Sequence, residues 1–360
     1  MNRPDTRGAL GETSAALARV AARAAAADAG ELDLSEDVAD LRRCGLLDRL
    51  SHPSDPKAAV TMLRRVGRAN LSVGRLVEGH MNALKLIALY GDAEQCQRHR
   101  SDAANGVLYG VWGADGEQPA RISRMGGRRV VLAGGKRFAS GLGLVGRSIV
   151  SVGRLDGTRL AVVSTTDGTR ADAGAWQMSG MRATVSGTFN LDALEGELLG
   201  TPGDYETEPH FEGGVWRYAA LHVGGLEAMA EAARQAIRRD QREAQLCRLA
   251  QLAANAHAAR LMVEAAAVAI EAADARPDTV ALSLLAREFV ETSCLEGIAM
   301  VDRALGTRAF ATGAPVERIR RDLQLFLRQA DLDGKLARAG ALVCQANAPI
   351  GEALGEEPAE

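Results

Sequence analysis

The sequence predicts an α+β multidomain fold with an N-terminal helical domain, a middle β-barrel-like domain and a C-terminal four-helix bundle. Three observations indicate this order. Alanine-rich segments fill most of the first hundred residues, glycine becomes frequent and the apolar period shifts toward two after Gly106, and helical spacing returns after a loop at 201–209. A doubly wound sheet would alternate strands and helices throughout, so it is excluded. The predicted domains are 1–104, 105–203 and 204–360.

The middle domain contains several strand candidates. They are 107–112, a hairpin over 128–140 with Gly134 and Gly135 at its turn, 147–152, 159–165 and 182–191. In the last of these, polar and apolar residues alternate, which predicts one wet face and one buried face. GLGLVG (141–146) matches the spacing of a dinucleotide fingerprint, but a strand candidate follows it where that fingerprint requires a helix. We therefore expect a loop of the β domain there.

Four helices are predicted in the C-terminal domain. Apolar residues from Ala219 to Ile237 step by four and three, and a second helix runs from about Arg242 to Ala273. A third carries an apolar stripe from Val290 to Leu305, and Pro315 suits the first position of the fourth. The short joins between them favour an antiparallel bundle.

Composition and charge limit the kinds of partner that the sequence predicts for this protein. The formal net charge is −3 and 25% of the 360 residues are charged, which gives no reason to expect nucleic acid as a partner. The sequence has neither an N-terminal signal pattern nor the run of about 20 apolar residues that a membrane span needs. Five scattered cysteines and six dispersed histidines indicate neither disulfides nor a metal site. We expect a cytoplasmic protein with no nucleic-acid, membrane or metal partner.

Several segments, in order along the chain, resemble those of the acyl-CoA dehydrogenase family. They are GVWGADG (110–116), GGKRFASG (134–141), SGMRATVSGTFNLDALEGELLG (179–200), VWRYAALHVGGLEAMAEAA (215–233) and PVERIRRDLQLF (315–326). The resemblance implies bound FAD, with Phe138 packed against the isoalloxazine ring and hydrogen bonds from the Ala139 backbone and the Ser140 hydroxyl. Trp112 lies in the segment that implies a further cofactor contact, where it either covers the flavin or fills the β core. The resemblance also implies a homodimer or homotetramer that packs through the C-terminal helices.

The sequence departs from the family pattern in its cofactor contacts. The first flavin segment usually reads Thr-Glu and then Gly-Ser-Asp, whereas Trp112 to Asp115 stand there in this chain. The family loop that follows the first bundle helix often contains a Phe-Gly that reaches the adenine of FAD. Residues 238–251 contain no Phe-Gly, although Arg238, Arg239 and Arg242 could meet a pyrophosphate or form a solvated helix end.

The catalytic base is also altered. Dehydrogenation of an acyl thioester needs a carboxylate that takes the α-proton. Ala330 stands where many family members carry this Glu, and the alternative position falls near Val215 and Trp216. Asp331 is the nearest candidate base, but its shorter side chain, displaced by one residue, would cost about 100-fold in rate.

Three hypotheses follow from these residues. The first is an FAD-dependent oxidoreductase that oxidises an acyl thioester, or another small-molecule substrate, with a displaced base. The second is a flavin-dependent monooxygenase of the same fold, which needs no such base. The FASG segment (138–141) also resembles a strand of those enzymes. The third is a relative without catalytic activity that acts as a binding subunit.

Overall fold

The computed structural model describes residues 6–51, 53–153, 157–239, 241–329 and 331–355. Its helices are α1 Thr6–Asp28, α2 Ser35–Arg43, α3 Leu46–Ser51, α4 Pro56–Ala69, α5 Leu71–Tyr90, α6 Ala93–Ala104, α7 Trp216–Ile237, α8 Glu243–Glu271, α9 Val280–Leu305, α10 Pro315–Phe326, α11 Leu332–Gln345 and α12 Ile350–Ala353. Its strands are β1 Tyr109–Trp112, β2 Arg121–Gly126, β3 Arg129–Ala133, β4 Gly135–Arg137, β5 Arg147–Val152, β6 Arg159–Ser164, β7 Ala171–Asp172, β8 Thr188–Asn190 and β9 Glu195–Leu199. A central region of sheet between two helical regions confirms the predicted fold class.

Local sequence explains where several helices begin. Asp55 accepts a hydrogen bond from the Lys57 N–H, and Pro56 occupies the first position of α4. Asp92 and Gln95 form a reciprocal capping box at the start of α6. Pro315 begins α10 as predicted. These ends are therefore fixed by residues next to them in the chain.

Within the described residues, the strands form two sheets. The larger has the order β1-β5-β6-β9-β3-β2, in which only the β1–β5 pair is parallel, and the smaller has the order β4-β8-β7. Tyr109, Ile149 and Leu199 of the larger sheet pack with Ala83 and Ile87 of α5 in one apolar cluster. This cluster fixes α5 against the sheet from which β1 leads into the candidate site.

Two strand predictions were wrong. The hairpin predicted over 128–140 is absent, because β3 pairs with β2 around a turn at Gly127, whereas β4 pairs with β8 in the other sheet. Gly134, with φ +91°, marks the crossing between the sheets, where its N–H donates to the Asp192 carboxylate. The strand predicted over 182–191 is a 3₁₀ turn at 182–184 followed by the short β8. Alternating residue types did not specify partners for its first half.

The other β predictions were confirmed. β1, β5 and β6 lie within or coincide with the segments at 107–112, 147–152 and 159–165. Residues 141–146 form turns that lead into β5, as expected for a loop and not for a dinucleotide fingerprint. The glycines in this segment therefore shape a connection in the β region.

The four predicted C-terminal helices are α7 to α10. The predicted stripe of α9 is buried, and so are Val316, Ile319, Leu323 and Phe326 on α10. α7 packs against α8, α9 and α10, and also against α4 from the N-terminal region. α11 follows as a further helix and packs against α9.

Contacts divide the described residues into two compact units. One holds α1 to α3, residues 75–90 of α5, α6 and the strands. The other holds α4, the first residues of α5, residues 179–181 and α7 to α12. Changes of element type fall near 104 and 203, and the domain boundaries placed there stay a prediction. No described helix has the length and apolar character to cross a membrane.

Candidate cofactor site

Phe138 stands at the point where β4 leaves its sheet. Its backbone has φ +55°, a left-handed conformation that is uncommon outside glycine, and the residue is 47% exposed. The Arg137 guanidinium lies 5.0 Å from the ring centroid, and the Trp176 ring meets it edge-on at 6.2 Å. Strained residues that expose a large apolar surface are typical of ligand sites. The ring is therefore available to a planar ligand.

Ala139 contributes differently from the prediction. The residue is fully buried, and its N–H donates to the Gly187 carbonyl at 3.0 Å. The backbone donor that the resemblance assigned to the cofactor already has a protein partner. The cofactor contact of Ala139 stays a prediction.

The Ser140 hydroxyl is oriented by a chain of hydroxyl groups. Ser186 Oγ lies 2.9 Å from Thr184 Oγ1 and donates to Ser140 Oγ at 2.9 Å. The contact from Ser140 Oγ to the Phe138 carbonyl, at 3.5 Å, is at the limit of a hydrogen bond. Ser140 Oγ accepts from Ser186, and its own O–H has only the long contact to the Phe138 carbonyl to give up if it turns toward a ligand.

Trp112 ties β1 to the same segment. Its indole Nε1 donates to the Ser140 carbonyl at 3.2 Å, and its ring packs against Phe189 with centroids 5.1 Å apart. The residue is only 2% exposed. Of the two roles left open by the sequence, this geometry provides core packing. The contact of Trp112 with the cofactor stays a prediction.

Lys136 is buried directly beside the site. Its Nζ donates to the Gly113 carbonyl at 2.9 Å, to Asp115 Oδ1 at 2.7 Å and to Ser151 Oγ at 3.2 Å. Burial lowers the pKa of Lys136, and the hydrogen bond and charge of Asp115 oppose that effect. Three acceptors around one ammonium satisfy all of its donors.

A small recess, with room for about one water molecule, opens beside Trp112 and Ser140. Arg75 and Gly79 of α5 line it, together with Gly110 of β1. The Arg75 guanidinium is paired with Glu78 one turn along the same helix. The recess therefore places a charged side chain next to an apolar wall.

Asp331 lies in the other compact unit from Trp112, Phe138, Ala139 and Ser140. It is exposed, has φ +54°, and precedes α11 without a side-chain capping bond. Ala330 lies outside the described residues. Val215 and Trp216, at the alternative base position, are both buried. The role of Asp331 as a base stays a prediction.

Sequence reasoning missed three contributors to this site. Lys136 lies inside the GGKRFASG segment without any predicted contact, Ser186 belongs to the polar set of the alternating segment 182–191 although it is 2% exposed, and no sequence pattern points to Trp176. The regular Lys-x-aromatic-x-Ser spacing was the one available signal for Lys136. Nothing local distinguishes Ser186 or Trp176, because their contacts join residues of separate segments.

Residues 219–328 match the family model described as acyl-CoA dehydrogenase, C-terminal domain. No curated protein sequence matches the chain significantly. Because the family match spans the region containing α7 to α10, the predicted resemblance to acyl-CoA dehydrogenase-like proteins is confirmed there.

Solved structures extend this likeness to the whole fold. TdsC from Paenibacillus sp. A11-2, in complex with FMN and indole, has a TM-score of 0.80 at 18% identity, over 96% of this chain and 100% of that chain. The methanesulfinate monooxygenase MsuC from Pseudomonas fluorescens has a TM-score of 0.79 at 18% identity, over 99% and 100%. Butyryl-CoA dehydrogenase from Megasphaera elsdenii has 0.80 at 15% identity, over 96% and 100%. The chain has the acyl-CoA dehydrogenase fold, which both monooxygenases and a dehydrogenase share.

Proposed function

We propose that this protein is a flavin-dependent oxidoreductase of the monooxygenase type. The observation that carries the proposal is the pairing of the exposed Phe138 with a Ser140 hydroxyl that accepts from Ser186 and makes only a 3.5 Å contact with the Phe138 carbonyl. An apolar wall beside a directed donor fits a flavin ring, which is planar and carries hydrogen-bond acceptors along one edge. A bound flavin would supply two-electron redox chemistry and, when reduced, reaction with oxygen.

The residues at the family's base positions favour a monooxygenase over a dehydrogenase. Ala330, Val215 and Trp216 carry no carboxylate, so none can take an α-proton. A monooxygenase needs no such base. The solved relatives TdsC, described as a dibenzothiophene monooxygenase, and MsuC have this fold and support the same choice.

The chain's own residues would bind and orient the flavin. Phe138 would cover one face of the ring, and Ser140 Oγ would donate a proton in a hydrogen bond to a ring acceptor, directed by Ser186. FAD is the cofactor implied by the family resemblance. FMN is an equal candidate, because residues 238–251 lack the Phe-Gly of the adenine contact and TdsC was solved with FMN.

The first experiment is a visible spectrum of the purified protein with and without added FMN and FAD. We expect a flavin spectrum, and oxygen uptake that depends on an added flavin reductase. Ser140→Ala should lower flavin affinity by about 5-fold or more, because one directed hydrogen bond is lost. A colourless protein that takes up neither flavin would contradict the proposal.

The second candidate is oxidation of an acyl thioester with Asp331 as the base, which the likeness to butyryl-CoA dehydrogenase supports. It predicts bleaching of the bound flavin by acyl-CoA compounds without oxygen. Asp331→Asn should then abolish the bleaching, whereas unaltered bleaching would exclude Asp331.

We also propose that the protein forms homodimers or homotetramers through its C-terminal helices. Leu261 and Val268 of α8 are 48% and 41% exposed and lie seven residues apart, on one face of the helix. An apolar stripe of this kind is typical of helix–helix interfaces.

A further inference from the structure

Lys136 is a buried cation to which the proposed function assigns no role. Its side chain is 0% exposed, although it ends in an ammonium group. Burying an ammonium group is costly unless hydrogen bonds and an opposite charge compensate it. An apolar residue could fill the same volume without that cost. The position of the three acceptors indicates what the charge provides.

The acceptors come from two different elements. Gly113 and Asp115 belong to the turn that follows β1, and Ser151 belongs to β5. Ser151 Oγ also donates to the Gly113 carbonyl at 2.9 Å, so the two side chains converge on one oxygen. Lys136 itself lies on β4, in the other sheet. The ammonium therefore joins the turn after β1 to strands of both sheets.

Backbone bonds complete the junction. Arg137 N–H donates to the Ala114 carbonyl at 3.0 Å, and Gly116 N–H donates to the Gly135 carbonyl at 2.9 Å. Asp115 Oδ1 accepts from the Ala120 N–H at 3.2 Å as well as from Lys136. The turn is thus held on both sides of the carboxylate that pairs with the lysine.

The junction formed by Lys136 and the turn after β1 is connected to the candidate site at both of its ends. Trp112 directly precedes the turn, and Phe138 to Ser140 directly follow β4. These two ends meet again at the bond from the Trp112 indole to the Ser140 carbonyl. A displacement of the turn would therefore move Trp112 against Ser140.

We infer that Lys136 is a positioning residue of the flavin site. By holding the 113–115 turn between the two sheets, it sets the distance between Trp112 and the Phe138–Ser140 segment. The inference rests on the proposed flavin function. A site displaced by about 1 Å loses much of its affinity or rate, so the loss of the clamp should weaken flavin binding. Because the clamp acts where the ring would lie, FMN and FAD should be affected alike.

The test is flavin titration of the apo form of the full chain, with FMN and FAD separately. Lys136→Met keeps the length of the side chain and removes its charge, and we expect Kd to rise about 10-fold or more for both flavins. Ser151→Ala removes one acceptor and should raise both Kd values about 3-fold. Arg121→Met is the matched control, since it removes a cation from an exposed position on β2, and it should leave Kd unchanged.

Thermal unfolding of each variant is followed in parallel, and binding is measured below every Tm. A Lys136→Met protein that stays folded but binds both flavins as tightly as the wild type would overturn the inference and leave the proposed function intact. Weakened binding of FAD alone would also overturn it, because the effect would then lie at the adenylate end. If Lys136→Met does not fold, Ser151→Ala and Asp115→Asn decide the question, and wild-type affinity in both would overturn the inference. Wild-type protein that binds neither flavin would instead remove the proposed function and the inference together.

Discussion

His222 of α7 is a histidine that the fold keeps neutral. It is 2% exposed and meets the Phe326 ring edge-on, with centroids 4.6 Å apart. Burial first, and then the positive charges of Arg287 and Arg328, lower the pKa of His222 to about 3. These arginines are held nearby through Glu291, with which both form ion pairs. The folded state therefore resists protonation at a pH where the unfolded chain accepts a proton.

The sign of the pH effect follows from this difference. The pKa of His222 is lower in the folded protein than the ordinary 6.5. Its contribution to the free energy of unfolding is therefore complete above pH 6.5 and is lost as pH falls toward 3. We predict that His222→Gln reduces the loss of unfolding free energy between pH 6.5 and 5, by up to about 1.4 kcal/mol per pH unit. Urea denaturation at several pH values measures this loss. The exposed His257→Gln should match the wild type, and equal slopes for all three proteins would contradict the prediction.

At the scale of elements, α4 and α7 approach each other through glycine. A Cβ on Gly67 of α4 would lie 2.9 Å from Leu221 Cα, and a Cβ on Gly224 of α7 would lie 2.8 Å from the Arg68 amide nitrogen. Such distances leave no room for a side chain, and the nearest atoms are backbone. An ion pair between Arg64 and Glu227 joins the same two helices. The contact explains why α4, from the N-terminal region, packs with the C-terminal helices.

Gly224→Ala should therefore destabilise the protein although alanine favours helix. We expect a loss of about 2–3 kcal/mol in unfolding free energy, because the backbone of one helix must move. The matched control is Gly340→Ala on α11, where a Cβ would meet nothing within 4 Å. That change should be neutral or stabilise by up to about 1 kcal/mol. Equal effects of the two substitutions in denaturant unfolding would show that the close contact is absent.

At the scale of the whole molecule, the exposed stripe of α8 predicts self-association. Leu261→Glu places a charge in the proposed interface and should shift the molar mass measured by light scattering toward the monomer. Leu32→Glu is a suitable control, since Leu32 is 47% exposed between α1 and α2. It should leave the mass unchanged. Wild-type protein that is monomeric at micromolar concentration would contradict the proposed assembly.

Local sequence accounts for the order of helical and β regions, the starts of α4, α6 and α10, and the strands β5 and β6. Each depends on apolar periodicity or on capping residues adjacent in the chain, so the information is local. The resemblance also directed attention to Phe138 and Ser140. Their neighbourhood in the fold, an exposed ring beside a directed hydroxyl, is consistent with that expectation.

Which strands pair, and which polar groups already have a partner, depends on contacts between distant parts of the chain. Gly134 crosses between sheets where the sequence suggested a hairpin, the Ala139 N–H is taken by Gly187, and Ser186 is buried beside Ser140. Lys136 acquires its three partners from the turn after β1 and from β5. Strand pairing and polar contacts of this kind join residues far apart in sequence, and their geometry is fixed by packing and not by the local pattern of residues.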